Sequence, residues 1–222
     1  MAGLAVFTAL DFARASLYIF HMKSTNITRV PHLVATEERW RRQGHRGGVV
    51  WLTGLPASGK KTLAAELEAR LFHAGYAVFA FDSGFMRSGL SSDLGFVRED
   101  RRENIRRAGE LAAVMARAGL VVITAFIAPF AADRKAARAT AENFHEVLLD
   151  VPAEICAARD TDGRYVRARA GEIADFTGVS APYEAPEAPE VRLVPVSGAV
   201  DFDMWTDELA AYVERHFRDI DG

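Results

Sequence analysis

The stretch from Gly54 to Ala64, GLPASGKKTLA, has the glycine and lysine spacing of a loop that binds phosphate groups. It follows the pattern G-x-x-x-x-G-K as far as Lys60. In such a loop, backbone N–H groups and the N-terminus of the next helix surround an anion, and the lysine reaches the outer phosphates of a nucleotide. The sequence therefore predicts an ATP-binding site with Lys60 as a catalytic residue. Its members are Gly54, Leu55, Pro56, Ala57, Ser58, Gly59, Lys60, Lys61 and Thr62.

Lys61 departs from this pattern, which has serine or threonine at that position. The hydroxyl group there normally binds the magnesium ion that bridges the β- and γ-phosphates. An ammonium group has no lone pair to offer a cation, and the side chain of Thr62 points about 100° further round the helix. Thr62 is thus a weak candidate metal ligand. We expect nucleotide binding to be kept and metal binding to be weakened.

Strands and helices alternate on both sides of this loop. The run VVWLTG predicts a buried strand that ends at Gly54, and Leu63, Leu67 and Leu71 form one stripe of a helix that stops near Gly75. Further strands are predicted at 76–82, 120–130, 145–151 and 191–196, and further helices at 98–118, 131–143 and 204–217. An Arg-rich segment, 163–176, is polar as a mobile lid would be. This alternation predicts one α/β domain with a parallel sheet covered on both faces.

The composition is that of an ordinary globular chain, with 222 residues, 26% charged residues and a net charge of -3. This balance argues against a general nucleic-acid-binding surface. The single cysteine, Cys156, excludes a disulfide framework and a cysteine-based metal site within the chain. We expect a reducing, cytoplasmic location.

The first 21 residues are apolar but carry Asp11 and Arg14, so no run is long enough for a membrane span. Three interpretations stay open: a start assigned too early, with Met22 as the true first residue, a short docking helix, or a targeting segment. We predict that 1–25 is an extension, either poorly ordered or wrongly included, and that 26–222 is the folded domain.

Six motifs, in this order, resemble those of adenylylsulfate kinases (APS kinases): GLPASGKKTLA, RSGLSSDLGF, DRRENIRR, AFIAPF, RARAGEIADFTG and PYEAPEAPE. The resemblance extends from about Asn26 to the C-terminus. It implies the P-loop NTPase fold, a three-layer α/β sandwich with a mostly parallel five-stranded sheet. It also implies transfer of the γ-phosphoryl group of MgATP to the 3′-hydroxyl of adenosine 5′-phosphosulfate (APS), which yields PAPS. A homodimer and an ATP sulfurylase partner that supplies APS are further implications.

The resemblance assigns five side chains to APS binding. Phe96 and Phe176 match the aromatic pair that sandwiches the adenine of the substrate, and rings suit this task. Arg87, Arg101 and Asn104 match the residues that hold its phosphosulfate and sugar, where planar guanidinium groups fit oxyanions.

Four more residues follow from the same matches. Arg159 matches an arginine near the ATP adenine, and Phe126, Ile127 and Pro129 match the loop that lines the APS site. Taken alone, Phe96 or Phe126 would more often be a core side chain than a ligand contact. Their positions inside matched motifs favour the binding role.

Four positions near the transferred phosphoryl group differ from the family pattern: Lys61, Gly84, Ala128 and Asp162. Gly84 replaces an acidic residue, whereas Asp82, a predicted catalytic residue, is kept. These changes raise the alternative of a catalytically impaired nucleotide-binding protein with a regulatory or assembly role. A compensating role is also open, with Lys61 supplying positive charge where magnesium would lie and Asp82 holding a metal through water. A kinase with a different acceptor is disfavoured by the kept APS residues.

Overall fold

A computed structural model of the chain describes residue 28 and residues 30–218. The predictions about 1–25, including Met22 as the first residue and a docking helix, therefore lie outside the described residues. Residues from Val34 onward form one unit by their contacts, and all elements below belong to it. Within the described residues, no helix is long and apolar enough to cross a bilayer.

The described part of the chain contains five strands and eight helices in alternation. The strands are β1 (Gly48–Gly54), β2 (Val78–Asp82), β3 (Val121–Ala125), β4 (Phe144–Leu149) and β5 (Val191–Leu193). The helices are α1 (Thr36–Gln43), α2 (Lys60–His73), α3 (Ser83–Ser88), α4 (Arg98–Arg117), α5 (Ala131–Arg138), α6 (Ala153–Ala158), α7 (Arg164–Arg169) and α8 (Phe202–Phe217). The strand order is β2-β3-β1-β4-β5, and every pairing is parallel. The predicted five-stranded parallel sheet is confirmed.

The central strand β1 divides the core into two layers because its side chains alternate between the two faces of the sheet. Val50 and Leu52 pack with apolar residues of α2 and α8, whereas Val49 and Trp51 pack with those of α4. All residues of β1 are buried, as expected for a strand covered on both faces. The three-layer α/β sandwich follows from this arrangement.

The parallel register brings the ends of three strands to one edge of the sheet. Ala125, the last residue of β3, pairs with Leu52 of β1 on one side and with Asp82 of β2 on the other. The loops that follow β1, β2 and β3 therefore leave the sheet side by side. The carboxyl edge of an open parallel sheet is where ligands bind in such folds.

Helix α2 agrees closely with its predicted pattern. Leu63, Leu67 and Leu71 are all buried, and Gly75 follows the helix with a φ of 87°. The amide of Tyr76 then bonds back to the carbonyl of Leu71, so a left-handed glycine ends the helix as predicted. By contrast, the strand predicted for 120–130 ends at Ala125 because the chain turns sharply beyond it, with a φ of 41° at Ala128.

His45 links the segment before β1 to the segment before β2, and this contact is sensitive to pH. Its Nε2 accepts the amide proton of Ala77 at 2.9 Å, and its Nδ1 lies 3.0 Å from the carbonyl of Arg46. Only a neutral ring can accept the bond from Ala77. Burial lowers the pKa of His45 below the ordinary 6.5, so the unfolded chain binds this proton first as pH falls.

We therefore expect His45 to reduce the stability of the fold as pH falls through 6.5. Denaturant unfolding at pH about 7.5 and about 5.5 measures this loss, with His45→Gln as the variant that has no proton to gain. The parent chain should lose more free energy of unfolding than His45→Gln. Equal losses would show that His45 has no part in the pH dependence.

Candidate active site

The loop between β1 and α2 depends on two glycines of the motif. Gly54 has a φ of 151°, and a Cβ atom there would lie 2.7 Å from the carbonyl oxygen of Leu149. Gly59 has a φ of 101°, and a Cβ atom would lie 2.5 Å from the ring of Phe202. Side chains are excluded at both positions by conformation and by space. The end of β4 and the start of α8 thus pack directly against the backbone of the loop.

Lys60 lies inside this loop. Its ammonium group donates to the carbonyls of Gly54 and Leu55 at 2.9 and 2.7 Å, and to Oγ of Ser58 at 3.2 Å. Burial lowers the pKa of Lys60 to about 7. The hydroxyl of Tyr165, on α7, donates to the carbonyl of Pro56 at 3.0 Å and so fixes the outer part of the loop. A lysine surrounded by backbone groups in this way can exchange its acceptors for phosphate oxygens.

Lys61, the residue after Lys60, pairs with Asp82 at the end of β2. Its Nζ lies 2.6 Å from Oδ2 of Asp82, while Oδ1 accepts the amide of Phe85 at 2.8 Å and caps α3. Burial raises the pKa of Asp82, but the hydrogen bonds from Lys61 and Phe85 outweigh it and hold the pKa below its ordinary value. Asp82 is therefore an ionised carboxylate with a fixed cation beside it.

These residues do not fit a magnesium ion held by the protein. Each oxygen of Asp82 is already engaged, one by an ammonium group and one by an amide. Among the described residues, no three His, Cys, Asp or Glu side chains are grouped as metal ligands would be. Thr62 is exposed on α2 beside Lys61. The predictions that Asp82 holds a metal through water and that Thr62 is a weak ligand stay predictions; in this structure the ammonium group of Lys61 contacts one oxygen of the Asp82 carboxylate.

Arginines organise the predicted APS side of the site. Arg87 donates to the carbonyls of Leu94 and Gly95 at 2.9 and 2.6 Å, and its guanidinium lies 4.4 Å from the centre of the Phe96 ring. The ring of Phe96 is 69% exposed. A large exposed aromatic ring on a cation is suited to stacking with a planar ligand.

Arg101 ties together the two segments that carry the predicted adenine clamp. Its Nε donates to the carbonyl of Phe96 at 2.6 Å, and its Nη1 donates to the carbonyl of Asp175 at 2.9 Å. Phe176 itself is nearly buried, with its ring edge against Tyr165 at 5.0 Å between centres. Arg101 therefore connects the segments of Phe96 and Phe176, and its predicted contact with the substrate stays a prediction.

Asn104, a predicted APS-binding residue, lies next to the end of β2. It is 2% exposed, and its Nδ2 donates to Oγ of Ser83, the residue after Asp82, at 3.4 Å. Its Oδ1 and the Nε of Arg87 are buried with no hydrogen-bond partner in the part of the chain that the structure describes. Buried polar atoms are nearly always paired. Other buried side-chain atoms in the described residues also lack a hydrogen-bond partner, so these two do not by themselves identify a ligand site.

The segment after β3 is held mainly through its backbone. Thr53 donates to the carbonyl of Ile127 at 2.7 Å, and the carbonyl of Pro129 accepts the amide of Glu184 at 2.8 Å. The ring of Phe126 is 1% exposed and stacks on Trp51 at 5.2 Å. Phe126 thus packs as a core residue beneath the site, and its predicted contact with the substrate stays a prediction, like those of Ile127 and Pro129.

Arg159 lies beside the loop, next to Gly59. Arg159 stacks over the ring of Phe202 at 5.1 Å, and its guanidinium would be 3.7 Å from a Cβ atom on Gly59. Its location next to the phosphate loop agrees with a role near ATP. Asp162, one of the departures, is exposed and lies 3.4 Å from Nε of Arg164.

Sequence reasoning missed several residues that build the site. They are Thr53, Arg134, Tyr165 and Tyr183, which bond to the loops that carry predicted residues. Tyr183 stands in the quoted motif PYEAPEAPE and could have been found there. The burial of Arg134 had no such signal, because a lone arginine in a helix is normally exposed.

Comparisons with known proteins agree with this geometry. The family model described as adenylylsulphate kinase matches residues 46–194. The adenylyl-sulfate kinase of Enterobacter sp. (strain 638) is 49% identical over 170 residues, which cover 76% of this chain and 85% of the relative. That of Clostridium acetobutylicum is 42% identical over 195 residues, with 87% and 96% covered.

Among solved structures, the APS kinase of Mycobacterium tuberculosis in complex with AMPPNP and APS superposes with a TM-score of 0.71. It is 39% identical, and the match covers 76% of this chain and 98% of that one. Sequence, fold and the arrangement of the phosphate loop lead to the same result. The chain belongs to the adenylylsulfate kinase family.

Proposed function

We propose that the chain transfers the γ-phosphoryl group of ATP to the 3′-hydroxyl of APS and so forms PAPS and ADP. The 3′-oxygen of APS bonds to the γ-phosphorus as the bond from this phosphorus to the β,γ-bridging oxygen breaks. The hydroxyl proton passes to solvent. Phosphoryl transfer needs positioning and charge neutralisation more than a strong base. Lys60 supplies positive charge at the outer phosphates.

The observation that carries the proposal is the exposed ring of Phe96 stacked on the guanidinium of Arg87, on the side assigned to APS. A guanidinium N–H suits a sulfate or phosphate oxygen, and an amide oxygen suits a sugar hydroxyl. Asn104 contacts Ser83, the residue after Asp82, and Asp82 pairs with Lys61 at the start of α2. The family comparisons support the same activity.

The experiment is PAPS formation by the purified full chain from ATP and APS, followed by separation of the nucleotides. Production of PAPS and ADP in equal amounts supports the proposal. ADP binding without any PAPS would instead favour the nucleotide-binding alternative, for which the comparisons give no support. Phosphorylation of other adenylates in preference to APS would indicate a different acceptor.

Arg87→Ala should raise KM for APS by about 10- to 100-fold, because a charge-assisted hydrogen bond to an oxyanion is lost. KM for ATP should change little, since Arg87 contacts the segment 94–96 and not the phosphate loop. Steady-state kinetics with each substrate varied in turn measure both constants.

Arg117→Ala is the matched control, because Arg117 is exposed at the end of α4. It should leave both KM values unchanged. Equal effects of Arg87→Ala on the two substrates would contradict the assignment of Arg87 to the acceptor side.

The resemblance also supports a homodimer and a cytoplasmic location. It further supports MgATP as the phosphoryl-donor substrate and an ATP sulfurylase that supplies APS. These are proposals that rest on the family alone. Size-exclusion chromatography with light scattering tests the first of them. The net charge of -3 gives no support for a nucleic-acid partner.

A further inference from the structure

We propose that Lys61 replaces the magnesium ligand of the phosphate loop with a fixed positive charge, so that the chain binds ATP and ADP without a divalent metal ion. The inference rests on the proposed function only in that nucleotide phosphates enter the loop beside Lys60. It is carried by the pair between Lys61 Nζ and Asp82 Oδ2 at 2.6 Å. Lys61 occupies the sequence position where the usual motif has the hydroxyl group that binds the metal.

The exposure of the two partners shows which way the pair faces. The side chain of Asp82 is 23% exposed, whereas that of Lys61 is 70% exposed. Asp82 is thus the more buried partner, and the side chain of Lys61 stays largely accessible to solvent. An ammonium group has three N–H donors, so one bond to Asp82 leaves two for phosphate oxygens. Asp82 therefore positions the ammonium group of Lys61 while the Lys61 side chain stays exposed.

Gly84 provides the space for this pair. A Cβ atom at residue 84 would lie 3.1 Å from Oδ1 of Asp82 and 3.6 Å from Nζ of Lys61. A second carboxylate at this position would lie close to Asp82 and would compete for Lys61. The absence of a side chain therefore leaves one cation facing one anion. Two of the sequence departures, Lys61 and Gly84, have one common explanation.

The charges near the loop make metal-free binding reasonable. Lys60 and Lys61 together bring two ammonium groups to the start of α2, where the helix N-terminus adds partial positive charge. Magnesium normally neutralises the outer phosphates in such sites. In this proposal, the two ammonium groups neutralise the same phosphates instead. A protein-held magnesium ion would have to displace Lys61 from Asp82.

The test is isothermal titration of the full chain with ADP and with AMPPNP, in EDTA and in excess MgCl2. For the parent chain, we expect Kd to differ by less than about threefold between the two conditions. For Lys61→Ser, we expect binding in EDTA to weaken by about 10- to 100-fold, with recovery on addition of magnesium. A parent chain that loses more than about threefold in EDTA would overturn the proposal, as would unchanged binding of Lys61→Ser in EDTA.

Two further variants keep the test specific. Lys135→Ser removes the same charge from an exposed position on α5 and should bind like the parent. Lys61→Arg keeps the charge and should restore binding in EDTA. Lys61 is exposed on its helix, so these variants are expected to fold, and thermal unfolding checks this. If the chain binds ADP without metal but forms no PAPS, the proposed function is wrong and this inference stands. If the chain forms PAPS but binds ADP only with metal, this inference is wrong and the proposed function stands.

Discussion

Lys60→Ala should lower kcat/KM for PAPS formation by about 10³-fold, the effect of removing one preorganised cation from a charge-stabilising site. Lys60 makes three hydrogen bonds within the loop, and its ammonium is the only one among the described residues that lies inside it. The helix N-terminus and Lys61 stay in the variant. They can still attract phosphate, so we expect a larger loss in kcat than in nucleotide affinity.

Steady-state kinetics and ADP titration of the same preparation separate these two effects. Lys135→Ala is the control for general loss of charge, since Lys135 is exposed on α5. Circular dichroism and thermal unfolding of Lys60→Ala show whether the loop variant keeps the fold. A loss of kcat/KM below about tenfold in a folded variant would show that Lys61 or another cation carries the chemistry.

The phosphate loop was predictable because its requirements are local. Gly54 and Gly59 are fixed by backbone conformation, and Lys60 is fixed by its distance from them along the chain. The partner of Lys61 was not predictable in the same way. Asp82 lies 21 residues further on, and only the parallel register of the sheet brings the end of β2 beside the start of α2. The sequence shows that the usual hydroxyl residue is replaced by Lys61, and the structure shows that Lys61 contacts Asp82.

The same distinction applies to the fold. The long elements, such as β1 and α4, were predicted because many residues share one periodicity. The short helices α3, α6 and α7 were not predicted, since six residues give too little pattern. Helix α3 begins at Asp82, which caps it, so this start could have been found from the capping residue. The segment predicted as a lid contains α7, whose Tyr165 is buried against the loop, and its motion stays a prediction.

Arg134→Met should lower the free energy of unfolding by about 3–5 kcal/mol, because it leaves a buried carboxylate without its main partner. Arg134 is 4% exposed and donates to Oε1 of Glu146 at 2.7 Å. Its other nitrogens donate to the carbonyls of Ala128 and Glu184 at 2.7 and 2.6 Å. Methionine fills much of the volume but offers none of these donors. Urea or guanidinium unfolding of the parent and the variant measures the difference.

The double variant Arg134→Met/Glu146→Leu distinguishes two roles of Arg134. One role is to neutralise the buried Glu146 carboxylate, and the other is to hold the segment after β3 through the carbonyl of Ala128. With both charges gone, most of the lost stability should return, since a buried ion pair contributes little compared with apolar packing. The carbonyl of Ala128, in the segment that carries the predicted APS contacts, lacks its donor in both variants, so we expect KM for APS to be raised in both. Arg192→Met, which removes an exposed pair with Asp150 at 2.9 Å, should cost less than about 1 kcal/mol. If the double variant recovered both stability and KM, Arg134 would serve the core alone, and the segment after β3 would hold its shape without it.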